Sequence, residues 1–288
     1  MFWIWFLPIL AGVALLGLIA LTLWGRWIRV VSHEVVISRL PKEFDGFRIS
    51  LISDLHDRRF GDRNQRLISA VLATNPDLVV TAGDLHEDPH SPQPVYDLFA
   101  GLSASVPVTY TEGNHDLRKG RRNVTEERHQ EHLKNIAEAG AILLNDTVFP
   151  LERNGEHLLL YGISWRGMAK GEAPAFSPEI PIVTVCHDPL HFDKIDPLPD
   201  LMLSGHVHGG ILRLPFLGPV FAPGNGLPLR KRFGRQFFFP KYSRGLYHKG
   251  NSSLAVTQGL GFSILPIRFI RPEIMVLTLK SEEKLNNS

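Results

Sequence analysis

Side chains able to hold a metal ion recur along this chain, each placed just after a short apolar run. Arg48 to Ser53 leads to Asp54-Leu55-His56. Leu78 to Gly83 leads to Asp84, and Val106 to Gly113 leads to Asn114-His115-Asp116. Ile180 to Cys186 ends in His187, and Leu201 to Gly205 ends in His206-Val207-His208. The metal-competent set is Asp54, His56, Asp84, Asn114, His187, His206 and His208. All its donors are nitrogen or oxygen, with few negative charges among them. Such a set suits Mn, Fe or Zn better than Ca or Mg. Seven donors are too many for one tetrahedral ion but fit two ions that share a bridging carboxylate. Two metals ~3.5–4 Å apart can bind one water, lower its pKa and direct the resulting hydroxide at phosphorus. Taken singly, D-x-H or Gly-Asp is an ordinary turn or cap. Gly-Asn-His-Asp and Gly-His-x-His after buried runs are more specific, and the ordered set is more specific still.

These residues converge only if the apolar runs are neighbouring strands. The runs are rich in Val, Ile and Leu, as strands covered on both faces are. Polar groups at the carboxyl ends of adjacent strands meet in one crevice. A helix is expected over about Asn64 to Thr74, with Leu67, Ile68, Val71 and Leu72 at helical spacing. A second is expected over about Val124 to Ala139, with Asn123 as cap and Glu126 three residues on. Ser32 to Ser38 reads as a strand. Gly245 to Gly261 and Pro272 to Leu279 look like antiparallel strands. The pattern is a mixed α/β layered domain.

Phe2 to Trp24 carries no charge, and a helix of that length is roughly 35 Å long, enough to cross a ~30 Å hydrocarbon core. Trp3, Trp5, Trp24 and Trp27 lie near its ends, as interfacial aromatics do. No basic residue precedes the run and no small-x-small site follows it, so an anchor fits better than a cleaved signal. The expected layout is a transmembrane anchor at 1–26, a connector with a first strand at 27–46, the catalytic domain at 47–280 and a polar tail at 281–288. Arg26, Arg29, Arg39 and Lys42 follow the apolar run. The positive-inside bias therefore favours a single-pass membrane protein with a cytoplasmic catalytic domain. The net charge of +2 gives no strongly basic face, so nucleic acid is not an expected partner. The single cysteine, Cys186, rules out an intramolecular disulfide and reads as a buried filler.

The ordered set Asp54, His56, Asp84, Asn114-His115-Asp116, His187 and His206-x-His208 resembles the calcineurin-like metallophosphoesterase family, over about Phe47 to Lys280. Ser53-Asp-Leu-His56, Phe239-Pro-Lys-Tyr242, Gly245-Leu-Tyr247 and Arg271-Pro-Glu273 are similar to its bacterial membrane-associated or exported branch. That branch includes pyrophosphatases acting on UDP-diacylglucosamine. The resemblance implies a four-layer α-β-β-α sandwich of two mixed sheets, here preceded by a transmembrane helix. It implies Asp54, His56 and His208 at one metal, Asn114, His187 and His206 at the other, and Asp84 bridging them. Mn is the favoured ion. His115 is then the acid at the leaving oxygen, with Asp116 orienting it.

The expected reaction is hydrolysis of a phosphodiester or pyrophosphate, in a lipid-linked or cell-envelope substrate held at the bilayer. A general phosphodiesterase for soluble nucleotides is the alternative, and a non-catalytic metal-binding scaffold a weaker one. Arg58, Arg59 and His86 follow the first two metal motifs and are candidate substrate contacts. The basic, phenylalanine-rich stretch 229–241 reads equally as a membrane-facing surface or as a loop with its rings in the core, and less well as a surface for single-stranded nucleic acid.

Overall fold

The computed structural model describes residues 2–87, 90–116, 125–170, 179–210, 212–214, 218–221, 240–261 and 271–282. The stretch 229–239, Asn123 and the tail beyond residue 282 lie outside them.

Among the described residues, two six-stranded mixed sheets form the body. The first contains β1 (Arg29–Ile37), β14 (Glu273–Ser281), β2 (Arg48–Ile52), β3 (Leu78–Ala82), β4 (Val108–Thr111) and β5 (Ile142–Leu143), in that spatial order. Its pairs are parallel except β14 with β2. The second runs β12 (Gly245–Lys249), β13 (Ser252–Val256), β9 (Leu201–Ser204), β8 (Ile182–Cys186), β7 (Glu156–Ile163) and β6 (Val148–Arg153). Its outer pairs, β12 with β13 and β6 with β7, are antiparallel hairpins around a parallel centre. A small ribbon pairs β10 (Leu212–Leu214) with β11 (Gly218–Phe221).

Alternation along each strand divides the apolar side chains between layers. Ile49, Leu51, Leu78 and Val80 of the first sheet meet Leu160, Val183, Val185 and Leu203 of the second. The opposite face of the first sheet, with Val79, Val108 and Tyr110, packs on helices. These are α2 (Gln65–Leu72), α3 (Gln93–Ser103) and α4 (Glu126–Glu138). Leu67, Val71, Leu98, Phe99 and Ile136 are the buried contacts, each contributing about 1.5–3 kcal/mol relative to exposure.

Three of the four expected layers are present in full. The fourth covers the outer face of the second sheet. Among the described residues it carries Phe192 of a 3-10 turn (Pro189–Asp193), Ile195, Tyr242 and, at its margin, Met168 of the six-residue α5 (Trp165–Lys170), with no long helix. Cys186 is buried in that layer, its Sγ 3.3 Å from Met168 Sδ, as a filler should be.

The strands expected from the apolar runs all form, slightly shorter than the runs themselves, because each run continues into its loop. The strand at the chain end, β14, is antiparallel to β2 but parallel to β1. The first expected helix begins one residue late. Asn64 takes a left-handed conformation (φ 58°), and its side chain links Phe60 N to Pro94 O. The second is capped by Thr125, whose hydroxyl accepts from Arg128 N at 3.3 Å.

The expected N-terminal helix forms as α1 (Phe2–Trp24), with Phe6, Leu7, Leu10, Leu15 and Leu16 exposed. Among the described residues no helix is long and apolar enough to cross a membrane. The transmembrane anchor expected at 1–26 is therefore not borne out as a span. The foot of α1 is nevertheless tied to the body. Arg58 donates to Gly25 O, Arg66 to Arg26 O, and Arg271 to Trp27 O and Ile28 O.

Candidate metal centre

All the expected metal-competent side chains stand in loops after β2, β3, β4, β8 and β9, at one end of the two sheets. Parallel pairing of β2, β3 and β4 and of β8 and β9 sends these loops to the same edge. The loops are tight. Asp54, His56, Asp84, His206 and His208 all have φ between 48° and 69°, the left-handed region that non-glycine residues rarely occupy. Gly83 lets two of the loops touch. A Cβ there would lie 2.7 Å from Gly113 Cα and from His187 Nδ1, and its φ is +81°.

Three overlapping groups of donors result: Asp54 with His56 and His208; Asp84 with His187 and His206; and His56 with Asp84 and His115. His208 Nε2 is 3.4 Å from Asp54 Oδ1, and His187 Nε2 is 3.0 Å from Asp84 Oδ2. His206 Nδ1 is 3.2 Å from His187 Nε2. Asp84 Oδ2 also lies 4.0 Å from His56 Nε2 and 3.9 Å from His115 Nε2, between the two clusters. Asn114 is on the adjoining turn, its Oδ1 buried without a hydrogen-bond partner.

The arrangement fits metal ions on its own chemistry. Rings that bind metal through one nitrogen usually have the other held by a carboxylate or carbonyl. His187 Nδ1 donates to Ala82 O at 2.6 Å, leaving Nε2 inward. His56 Nδ1 is paired with Glu87 Oε2 at 3.2 Å, while Nε2 faces Asp84 at 4.0 Å and has no hydrogen-bond partner. A buried ring nitrogen without a partner is costly unless something else satisfies it. Electrostatics agree. Burial pushes the Asp54 and Asp84 carboxyls up, but the surrounding imidazoles override it and hold both below the usual range. Burial depresses His187, yet Asp84 beside it drives the ring up to about 10.

Asp116 was expected to orient His115, and the structure gives it other work. One carboxylate oxygen accepts from Asp84 N and Gly113 N, both at 2.8 Å, and the other from His86 N at 2.9 Å. The side chain thus clamps the loops after β3 and β4 together. Burial, then Asp84, raise its pKa to about 6. The carboxylate at His115 belongs instead to Glu87, with Oε1 3.1 Å from His115 Nδ1. Burial raises Glu87, but His115 and His56 outweigh that and hold it well below the usual range.

The expected substrate contacts separate. Arg58 turns away from the centre, donating to Gly25 O and Leu260 O with its guanidinium over the Phe60 ring. Burial, with Arg26 and Arg66 near, lowers its pKa to about 10. Arg59 is exposed on the same loop. His86 stays beside the centre, its Nδ1 bonded to Asp57 Oδ1 at 2.8 Å. Sequence reasoning passed over Glu87 and Trp165. The signal for Glu87 was a carboxylate directly after Gly83-Asp-Leu-His86. The Trp165 ring, 5.7 Å from that of His206, walls the other side of the centre and had no signal beyond following a buried run.

Residues 47–210 match the family described as calcineurin-like phosphoesterase. This chain belongs to that family. The calcineurin-like assignment makes it a metal-dependent phosphoesterase, a hydrolase. It is 30% identical over 88% of its length to the uncharacterized metallophosphoesterase YkuE of Bacillus subtilis, covering 86% of that protein. It is equally similar, at 30%, to phosphodiesterase YaeI of Escherichia coli, with 88% of each chain covered. A transmembrane protein with metallophosphoesterase domain from Danio rerio is 28% identical over 88% of this chain and 57% of its own.

Proposed function

We propose that this calcineurin-like enzyme hydrolyses a phosphodiester or pyrophosphate with two divalent ions, Mn favoured over Fe and Zn. Asp54, His56 and His208 hold one ion, Asn114, His187 and His206 the other, and Asp84 both. The observation that carries the reading is Asp84 Oδ2, placed within 4.0 Å of His56, His115 and His187 nitrogens. When bound, the ions supply charge neutralisation and an activated water. The chain's own residues do the rest. Glu87 fixes the His115 ring through Nδ1 and leaves Nε2 on the side of Asp84, where the doubly protonated ring can give its Nε2 proton to the leaving oxygen and remain neutral with its Nδ1 proton on Glu87. Asp116 keeps the Asp84 and Gly113 backbones in register.

The tether and the lipid-linked substrate are part of this proposal. They rest on the uncharged sequence of α1 and on the printed name of the Danio rerio relative. The printed activity of YaeI favours the second reading, a phosphodiesterase for soluble nucleotides.

Metal content and turnover of bis(4-nitrophenyl) phosphate, measured with Mn, Fe and Zn, test the core claim. Asp84→Asn should lose at least one ion per chain and nearly all turnover. Full turnover with unchanged metal content would sink the ligand assignment. Flotation with liposomes tests the tether: a full chain that stays with the soluble fraction excludes it.

A further inference from the structure

A pocket of about 360 Å³ opens beside the metal centre, and His115 and Asp116 belong to its wall. The remaining wall comes from α3, α4 and the loop after β3. Tyr96, His132, Asn135 and His86 line it, with Arg128 and Glu131 exposed at its rim. None of these residues has a part in the metal centre. Their placement matters: the pocket borders His115, the residue assigned to protonate the leaving oxygen, and so can take the leaving group of an ester held at the centre. This inference therefore rests on the hydrolase reading and names the substrate half that the reading leaves open.

The walls have a definite chemistry. The His86 and His132 rings sit 5.1 Å apart and tilted by 41°, and the Tyr96 and His132 rings 5.5 Å apart and tilted by 42°. At these spacings the three rings pack on one another and form one aromatic wall, against which a further planar ring can lie. The rings are held in place. His86 is bonded to Asp57, Tyr96 Oη is 2.8 Å from His132 Nδ1, and Asn135 Nδ2 donates to Tyr96 Oη at 3.4 Å. With the amide on its lone pair, the phenol directs its hydrogen to His132 Nδ1. Burial, with His86 and His129 near, lowers the His132 pKa to about 3, so the ring is neutral. Its Nε2 is buried and has no hydrogen-bond partner. An acyl chain asks for aliphatic walls, and among the described lining residues Pro92 is the sole aliphatic side chain. The volume falls at the small end of the ~300–1,000 Å³ range of small-molecule sites.

We infer that this pocket receives the leaving half of the substrate and that this half is a nucleoside, its base against Tyr96, His86 and His132 and its hydroxyls toward Asn135 and Glu131.

The test uses the full-length, metal-loaded protein with methyl 4-nitrophenyl phosphate as reporter ester and adenosine and uridine as probes. Both nucleosides should inhibit competitively, while glucose and glycerol at equal concentration should not. Tyr96→Ala and His132→Ala should each raise the inhibition constant at least tenfold. His132→Gln, which keeps a polar side chain of similar reach and guards against a folding defect, should raise it less. Hydrolysis without nucleoside inhibition, inhibition by glucose or glycerol as strong as by nucleosides, or inhibition constants within twofold of wild type in both alanine variants would each overturn the inference. Should the reporter ester not be cleaved with any metal, the hydrolase reading fails separately. Calorimetric titration with adenosine then decides the pocket: binding lost in Tyr96→Ala upholds it, and no binding to wild type overturns it.

Discussion

Single side chains in this site act in pairs, and Glu87 is the plainest case. Its two oxygens reach His56 Nδ1 and His115 Nδ1, one ring among the expected metal ligands and the other the expected acid. Loss of such an outer partner typically costs 10–100-fold in metal affinity or activity. Glu87→Gln should lower kcat on bis(4-nitrophenyl) phosphate by about that factor and weaken metal retention on dialysis, read by elemental analysis. A variant with wild-type kcat and metal content would show that the carboxylate positions neither ring. The sequence marked the rings but not their partner. A carboxylate that bridges two histidines 31 and 28 residues away leaves no local pattern.

Whole elements are joined by buried polar clamps as much as by apolar layers. Asp116 satisfies three backbone N–H groups in the loops after β3 and β4. Leaving buried donors unsatisfied costs ~1–3 kcal/mol each. Asp116→Ala should therefore lower stability by about 3 kcal/mol or more, seen as a lower urea midpoint, and should misplace Asp84. An unchanged midpoint would mean that those donors find other partners. A second clamp joins α4 to the end of β4, where buried His129 meets Glu112. The Glu112 hydrogen bond, opposed by burial, raises the His129 pKa above 6.5. A raised histidine contributes stability that is fully present below the unfolded pKa of ~6.5. That contribution is lost as pH rises through the folded value. Wild type should then lose stability relative to His129→Gln on going from pH 6 to pH 9, by urea denaturation at each pH. A constant difference between the two would show that the pair does not titrate in this range.

For the molecule as a whole, the question is how α1 is mounted. Arg58 sits two residues beyond His56 and yet donates to Gly25 O at the foot of α1, and to Leu260 O. The metal loop and the helix are therefore mechanically connected. Arg58→Ala removes two charged hydrogen bonds, worth roughly 1.5–3 kcal/mol each at most before solvent compensation. At ~2–4 °C per kcal/mol for a domain of this size, Tm should fall by several degrees. Scanning calorimetry in detergent checks this, and a Tm unchanged within a degree would show that the foot of α1 is held by Arg66 and Arg271 alone.

The donor set of the centre and the strands that carry it were legible in the sequence. An apolar run ending in a metal donor is a local pattern, and repeating it five times leaves few folds that gather the donors. Asp54, His56, Asp84, His187, His206 and His208 converge for that reason. Partner choice was not legible. Asp116 bonds to backbone amides, Arg58 to the base of a helix, and Glu87 to two rings, because long-range hydrogen bonds depend on which loops the sheets bring together. The ring-lined pocket between α3 and α4 arose the same way, from packing between segments that carry no mark of one another along the chain.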